Sequence, residues 1–555
     1  MTLPRKIFSA LLLHSQILLW WGCAAVAPPG GGPEDNTPPE LISVIPENGT
    51  LHFTGGTVRL EFSEYIAEQS ISAALRVAPR LATKLPIIYK GKILEFEFPE
   101  SLEVDQTYVL TLSRDLKDEH NVPLAEPIQI AFSTGGAIDQ GSINGRVYGT
   151  GAYTIHLWKS TGDDSLFASL PLYLSDTDDD GYFRFKYLPT GDFSLIAVER
   201  QSAGLALNPE RTNYGVPSQR KYFLNKNGVV ENINIRPWRE PPPLRLERGE
   251  WVSHRWGWLY FSRPLEENEQ MDSLFLTLAD GRILEPRSFV DYKNRNKYLI
   301  LSPDSLPPGK MTVTVGDIYS VDSLVLKRTT LGIRVPAEPD TSYLELLHPD
   351  TSITLSPDKN SGPPLSLTFS TPVVLADELT FPLVAGDSDT VALKLEWKSP
   401  VWVEIQPETG WQPKKDYRLT LAAEKINPLA GRSFKDSVVT ITIHSGRKIG
   451  YGGLEGTIAD SSRESLMTLL TPVKKAPQGF TAFVNSSLQF QYNEIPEGFY
   501  QLMLFEDRDL DGDYSFGKAY PFQPSEWFYV VPDTISIRAN WDVELGPIQI
   551  EEQTF

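Results

Sequence analysis

The sequence holds a single cysteine, Cys23, in 555 residues. No intramolecular disulfide can form, and neither a CxxC redox pair nor a cysteine-rich zinc site is available. Histidine is scarce as well. His14, His52, His120, His156, His254, His348 and His444 include no two at helical-turn or strand-neighbour spacing, so local metal-binding motifs are missing. There is no GxSxG, no SxxK with partners, no P-loop and no GxGxxG, and no catalytic residue is assigned. Paired carboxylates abound, but glycosidase sites sit in larger clefts than a 100-residue sandwich offers. Beyond the N-terminal apolar run, no stretch of about twenty apolar residues follows. Positive charge is outweighed, with a formal net charge of −20. A field of that sign repels nucleic acid and anionic lipid heads, which leaves nucleic acid out as a partner.

What is present suits packed cores. Hydrophobic residues make up 41% and aromatics 11% of the chain, which argues against global disorder. A chain of this length implies about four or five domains. The 44 prolines and 40 glycines are spread along it, as many short strands joined by turns require.

Arg5 and Lys6 precede an apolar run, Ile7 to Trp21, and then Gly22-Cys23. This is the pattern of a secretory signal. It resembles the lipobox of bacterial lipoproteins, in which the cysteine is lipidated and becomes the new N-terminus. Gly22 and Ala24 match, while Trp20 stands where leucine is preferred and Trp21 is bulkier than usual. The resemblance implies a signal peptide at 1–22, lipidation at Cys23, and an exported outer-membrane lipoprotein facing either the periplasm or the surface. Residues 23–37, with Pro28-Pro29-Gly30-Gly31-Gly32-Pro33, read as a tether.

Internal repeats organise the rest. Val58-Arg59-Leu60-Glu61-Phe62-Ser63-Glu64-Tyr65-Ile66, Gly257-Trp258-Leu259-Tyr260-Phe261-Ser262-Arg263-Pro264-Leu265 and Leu365-Ser366-Leu367-Thr368-Phe369-Ser370-Thr371-Pro372-Val373 share one signature. Each alternates with period two, reaches Phe-Ser, and after two further residues ends on an aliphatic. A second alternating strand follows each, at Tyr108 to Leu112, Met311 to Val315 and Tyr417 to Leu421. The spacing predicts three immunoglobulin-like sandwiches without the Cys…Trp…Cys hallmark. The first copy adds Thr37-Pro38-Pro39, Pro46-Glu47-Asn48-Gly49 and Phe132-Ser133-Thr134-Gly135, and so resembles the SbsA-type bacterial Ig-like domain of Bacteroidota-type lipoproteins.

A different module occurs twice. Gly145-Arg146-Val147 opens the first copy, which closes with Phe183-Arg184-Phe185 and Leu188-Pro189-Thr190-Gly191. Gly456-Thr457-Ile458 opens the second, which closes with Leu488-Gln489-Phe490 and Ile495-Pro496-Glu497-Gly498. It resembles the transthyretin-like regulatory sandwich of carboxypeptidases, a structural module there. The expected architecture is all-β, with Ig-like domains at 38–135, 244–336 and 340–446, transthyretin-like sandwiches at 140–238 and 453–555, and the whole in one elongated chain.

Two clusters are candidate sites. Asp507, Asp509, Asp511 and Asp513, followed or flanked by Gly512, resemble the start of a calcium loop, since hard cations want several oxygens and glycine permits the sharp turn. Lys518 stands where the twelfth-position glutamate of an EF-hand would be. Asp176 to Gly181 reads instead as an acidic hairpin turn. Trp251, Trp256 and Trp258 offer aromatic faces for a partner or a glycan, or core packing. Calcium aside, no cofactor is expected. The expectation is a non-enzymatic cell-envelope lipoprotein acting as an interaction scaffold or spacer, including as an accessory subunit of an outer-membrane assembly or export complex. The alternative is a glycan-binding or adhesion lipoprotein. Expected partners are the membrane, through the lipid anchor, and other envelope proteins.

Overall fold

The computed structural model describes residues 35–550 apart from 267–270, 272, 292, 322–323, 348, 350, 356–361, 375–380, 460 and 475–478. Cys23, the signal expectation and residues 23–34 of the tether expectation therefore lie outside the described residues. The chain divides into two compact units, one built on the residues up to Gln140 with Tyr187–Pro189, the other on Gly141–Lys186 and Thr190 onward. Strands dominate both, and the chain is all-β and multi-domain.

The first unit is a sandwich. One sheet runs β1 (Leu41–Ile45), β2 (Gly56–Phe62), β5 (Ile93–Phe98), β4 (Ile87–Lys90); the other runs β3 (Leu75–Ala78), β6 (Thr107–Leu112), β7 (Ile128–Ser133). One short helix, α1 (Glu68–Ala74), sits between β2 and β3. Alternation along β2 and β5 puts Val58, Leu60, Phe62, Leu94, Phe96 and Phe98 into the core, where Phe53 and Phe132 stack at 5.0 Å. Burying each such side chain is worth roughly 1.5–3 kcal/mol. The Pro-Glu-Asn-Gly turn is held by hydrogen bonds to β7: the Ala131 amide donates to Asn48 Oδ1 at 2.8 Å, and the Gly49 amide donates to the Ala131 carbonyl at 2.8 Å.

The same four-strand order recurs twice in the second unit. Leu246–Trp251, Trp256–Phe261, Lys297–Leu301 and Arg287–Val290 form one such sheet, and Leu346–Leu347, Leu365–Phe369, Trp402–Pro407 and Leu393–Ser399 form the other. The Phe-Ser signature has a local cause common to all three sandwiches. Phe62, Phe261 and Phe369 are core residues, and so are the following aliphatics Ile66, Leu265 and Val373. Each serine closes the end of the neighbouring strand. Ser63 Oγ accepts the Glu40 amide at 2.9 Å, Ser262 Oγ the Arg245 amide at 2.8 Å, and Ser370 Oγ the Glu345 amide at 2.9 Å.

The other repeated module pairs a three-stranded sheet with a five-stranded one. In the first copy, β8 (Gly141–Val147) lies between β11 (Tyr182–Leu188) and β15 (Val229–Ile235), and it pairs with β15 in parallel. Opposite lie β9 (Tyr153–Lys159), β10 (Tyr173–Asp176), β12 (Gly191–Glu199), β13 (Tyr214–Gly215) and β14 (Tyr222–Leu224). The second copy repeats this, with Tyr451–Ile458 between Gln489–Pro496 and the parallel Asp542–Ile548. The opening glycines of both copies are fixed by close packing. A Cβ on Gly145 would lie 2.0 Å from the Ile233 carbonyl oxygen and 2.8 Å from the Phe183 ring; on Gly456 it would lie 2.5 Å from the Phe490 ring.

Candidate functional site

The acidic loop begins where the strand Gly498–Glu506 ends. Asp507 is buried, at 5% exposure, and it organises the turn. Its Oδ1 accepts the Asp511 amide at 3.2 Å and its Oδ2 the Gly512 amide at 3.0 Å. Glu526 reaches in from the far side of the loop and is equally buried. Its two oxygens accept the Arg508 amide at 2.6 Å and the Ser515 amide at 3.0 Å. Asp509 Oδ2 accepts the Ser515 hydroxyl at 3.0 Å. One oxygen from each of Asp507, Asp509 and Glu526 falls within 4.8 Å of the others.

Two of the four aspartates singled out in the sequence thus converge, and Glu526 completes the group. Asp511 and Asp513 lie outside it; Asp511 Oδ1 instead accepts the Asp513 amide at 2.8 Å. Burial pushes the Glu526 carboxyl above its usual range, the Ser515 and Arg508 amides pull it back, and the Asp509 and Asp507 charges add to the rise. An all-oxygen set of this kind suits a hard cation. Backbone amides already hold Asp507 and Glu526, and the Ser515 hydroxyl holds Asp509, so the loop is a self-supporting turn as well. The other acidic segment is a tight turn, though not a hairpin, because the strands it links, β10 and β11, lie in different sheets: Asp178 Oδ1 accepts the Asp180 amide at 3.0 Å and the Tyr182 amide at 2.8 Å.

The tryptophans do not form an exposed groove. Trp251, Trp256 and Trp258 are 6%, 2% and 9% exposed. Alternation along Trp256–Phe261 sends Leu259 and Phe261 into the core of their own sandwich, where Trp251 also packs. Trp256 and Trp258 point to the opposite face and would stand in water if the module were alone. They are covered instead by Val401, Leu429 and Ala430 of the following sandwich. Their rings meet edge to face at 6.1 Å, and Lys297 Nζ sits 3.6 Å over Trp258. They bind a partner, but one within the chain.

A second seam joins the first and last sandwiches of this unit, about three hundred residues apart in sequence. A linear string of modules has no such contact. Trp238 stacks on Phe516 at 5.4 Å, Phe167 stacks on Phe522 at 5.3 Å, and Tyr148 meets Phe528 edge-on at 5.3 Å. The Arg236 guanidinium lies over Tyr514 and Phe516 at 5.3 and 5.1 Å, and burial lowers its proton affinity. Asn234 Nδ2 donates to the Phe528 carbonyl at 3.2 Å. Tyr214, fully buried, donates to Glu240 at 2.7 Å and accepts the Ala519 amide at 3.4 Å. The acidic loop is part of this seam, because Tyr514 and Phe516 lie between Asp513 and Glu526. A cleft of about 500 Å³ lined by Trp238, Arg508, Asp509 and Glu526 opens beside it.

Comparison with known proteins agrees with the first sandwich. The Bacterial Ig-like domain family, Big_5, matches residues 35–134. No curated protein matches the chain. Among solved structures, the N-terminal part of the bacterial S-layer protein SbsC aligns at 9% identity and a TM-score of 0.18, covering 37% of this chain and 44% of that one. The chain thus spans less than half of that S-layer structure. BcpA, the major pilin subunit of Bacillus cereus, aligns at 11% identity and a TM-score of 0.14, covering 75% of this chain and 100% of that one. Escherichia coli alpha-2-macroglobulin aligns at 10% identity and a TM-score of 0.15, covering 85% and 42%. The class defined by the fold is a multi-domain all-β chain whose first domain is Ig-like.

Proposed function

We propose that this protein is a non-enzymatic cell-envelope lipoprotein, anchored at the outer membrane through lipidated Cys23, that serves as an interaction scaffold. On this reading the two repeated modules of the second kind are transthyretin-like, as their motifs suggest; the one parallel strand pair in each is common to both. The observation that carries the proposal is the pair of aromatic seams in the second unit. Flexible spacers leave their modules independent. Here Trp256 and Trp258 lock two Ig-like sandwiches together, and Arg236 with its aromatic neighbours locks the first module of the unit to the last. Large desolvated aromatic contacts hold relative orientation, which is what a platform for an envelope partner needs. An accessory subunit of an assembly or export complex is the partner context that fits best.

The test is a tagged full-length chain and its Cys23→Ala variant, recovered from detergent-solubilised membranes. The expected result is a stoichiometric envelope partner captured with the wild-type chain, and loss of the variant from the membrane fraction. Membrane-bound wild-type protein that comes out alone defeats the scaffold reading. A variant that stays in the membrane fraction defeats the anchor.

A further inference from the structure

The first sandwich brings Asp35 to a turn that already holds two ligand-bearing residues close in sequence, Asp118 and His120. One ligand atom from each lies within 4.8 Å of the others. Both carboxylates are positioned by the backbone. Asp35 Oδ1 accepts the Thr37 amide at 3.1 Å. Asp118 Oδ1 accepts the His120 amide at 2.9 Å and the Val122 amide at 2.8 Å. One oxygen of each is thus tied down, which orients the other, as the outer hydrogen bonds of metal-ligating carboxylates do.

The remaining Asp118 oxygen is the independent sign of a ligand. Asp118 is 1% exposed, and no amide, hydroxyl or cationic side chain donates to its buried Oδ2. A buried carboxylate oxygen left so is strongly unfavourable unless something positive reaches it. The charges around it have the wrong sign. A further carboxylate, Glu64, lies within hydrogen-bond reach of Asp118.

The spacing discriminates further. His120 Nδ1 and Asp35 Oδ2 are 3.4 Å apart, long for a hydrogen bond. Two ligands at ~2.0–2.1 Å from a tetrahedral ion stand about 3.3–3.4 Å from each other. Imidazole with carboxylates suits zinc and its first-row neighbours better than calcium, which prefers an all-oxygen shell. The His120 side chain is 66% exposed and that of Asp35 33%, so an ion can enter from solvent toward the buried Asp118.

The geometry points to a divalent transition-metal site of the zinc class formed by Asp35, Asp118 and His120, with Glu64 as the adjoining carboxylate. Bound there, the ion clips the segment entering the domain at residue 35 to the 118–122 turn. The test uses the mature full-length chain and zinc chloride, followed by isothermal titration and by thermal melting with and without metal. The expected result is saturable binding tighter than millimolar and a raised melting temperature for the first domain, with affinity falling at least about tenfold in His120→Ala and in Asp118→Asn. His120 is largely exposed, so its replacement keeps the fold even if Asp118→Asn does not. Glu526→Gln, in the other acidic group, leaves this affinity unchanged. Zinc binding no tighter than millimolar, equal affinity in His120→Ala, or a preference for calcium over zinc overturns the assignment.

Discussion

Replacing Trp256 by alanine tests whether the seam between the two Phe-Ser sandwiches governs the behaviour of the second unit. A buried tryptophan removes about 200 Å² from water, worth ~5 kcal/mol at ~25 cal/mol per Å². Truncations of this kind cost about 3–5 kcal/mol once the remaining ring contacts relax. The loss falls on the seam, because Trp256 faces away from the core held by Leu259 and Phe261. Each sandwich should therefore keep its own core while the coupling between them is lost. For a pair of this size the shift is on the order of 10 °C. Scanning calorimetry of the full chain should show the joint transition of the two sandwiches split and its lower component move down. Leu259→Ala is the contrast: it damages the core of one sandwich, at about 2–5 kcal/mol, and should lower that module without splitting the pair first. An unchanged melting profile for Trp256→Ala would refute the reasoning, since it would mean that the ring stands in water in solution.

Ser63→Ala, Ser262→Ala and Ser370→Ala should each destabilise their own sandwich by about 0.5–1.5 kcal/mol in urea denaturation, because each leaves one strand-end amide without its acceptor. Three similar values would show that the repeated serine does one job. Asp507→Ala should cost roughly 2–4 kcal/mol by thermal melting, since two amides lose a charged acceptor in a buried turn. Adding calcium to the wild type then reports whether the Asp507, Asp509, Glu526 group also takes an ion, through a rise in melting temperature that the variant lacks. Alkaline pH should unfold the chain steeply. Burial raises the phenols of Tyr214, Tyr492 and Tyr514 well above their usual value near 10.0. The folded state keeps these protons where the unfolded chain releases them, so stability falls as pH rises above 10, by up to about 4 kcal/mol per pH unit for three protons. Tyr492→Phe should remove about a third of that slope whatever it costs at neutral pH; an unchanged slope would show that Tyr492 ionises freely in the folded chain.

The parts legible in the sequence are those whose cause is local. Phe-Ser repeats because the phenylalanine must enter a core and the serine must accept an amide from the adjacent strand. Both demands are met within about 25 residues, so the spacing survives in all three copies. Gly145 and Gly456 repeat because a phenyl ring packs over each, again within one module. Alternation likewise told that Trp256 and Trp258 share a face, but not what covers that face. The answer depends on Val401 and Leu429, over a hundred residues away, and no periodicity encodes it. The same limit applies to the charged groups. Aspartates in series at 507 to 513 suggested a loop that wraps one ion, yet the fold turns Asp511 and Asp513 aside and supplies Glu526 from across the loop. His120 has no histidine neighbour in the chain, whereas in space it and nearby Asp118 meet Asp35 from the start of the domain. In a protein of short strands, the residues that meet at a loop come from opposite ends of a domain. Spacing rules built on helical turns and continuous loops therefore find its turns and miss its clusters.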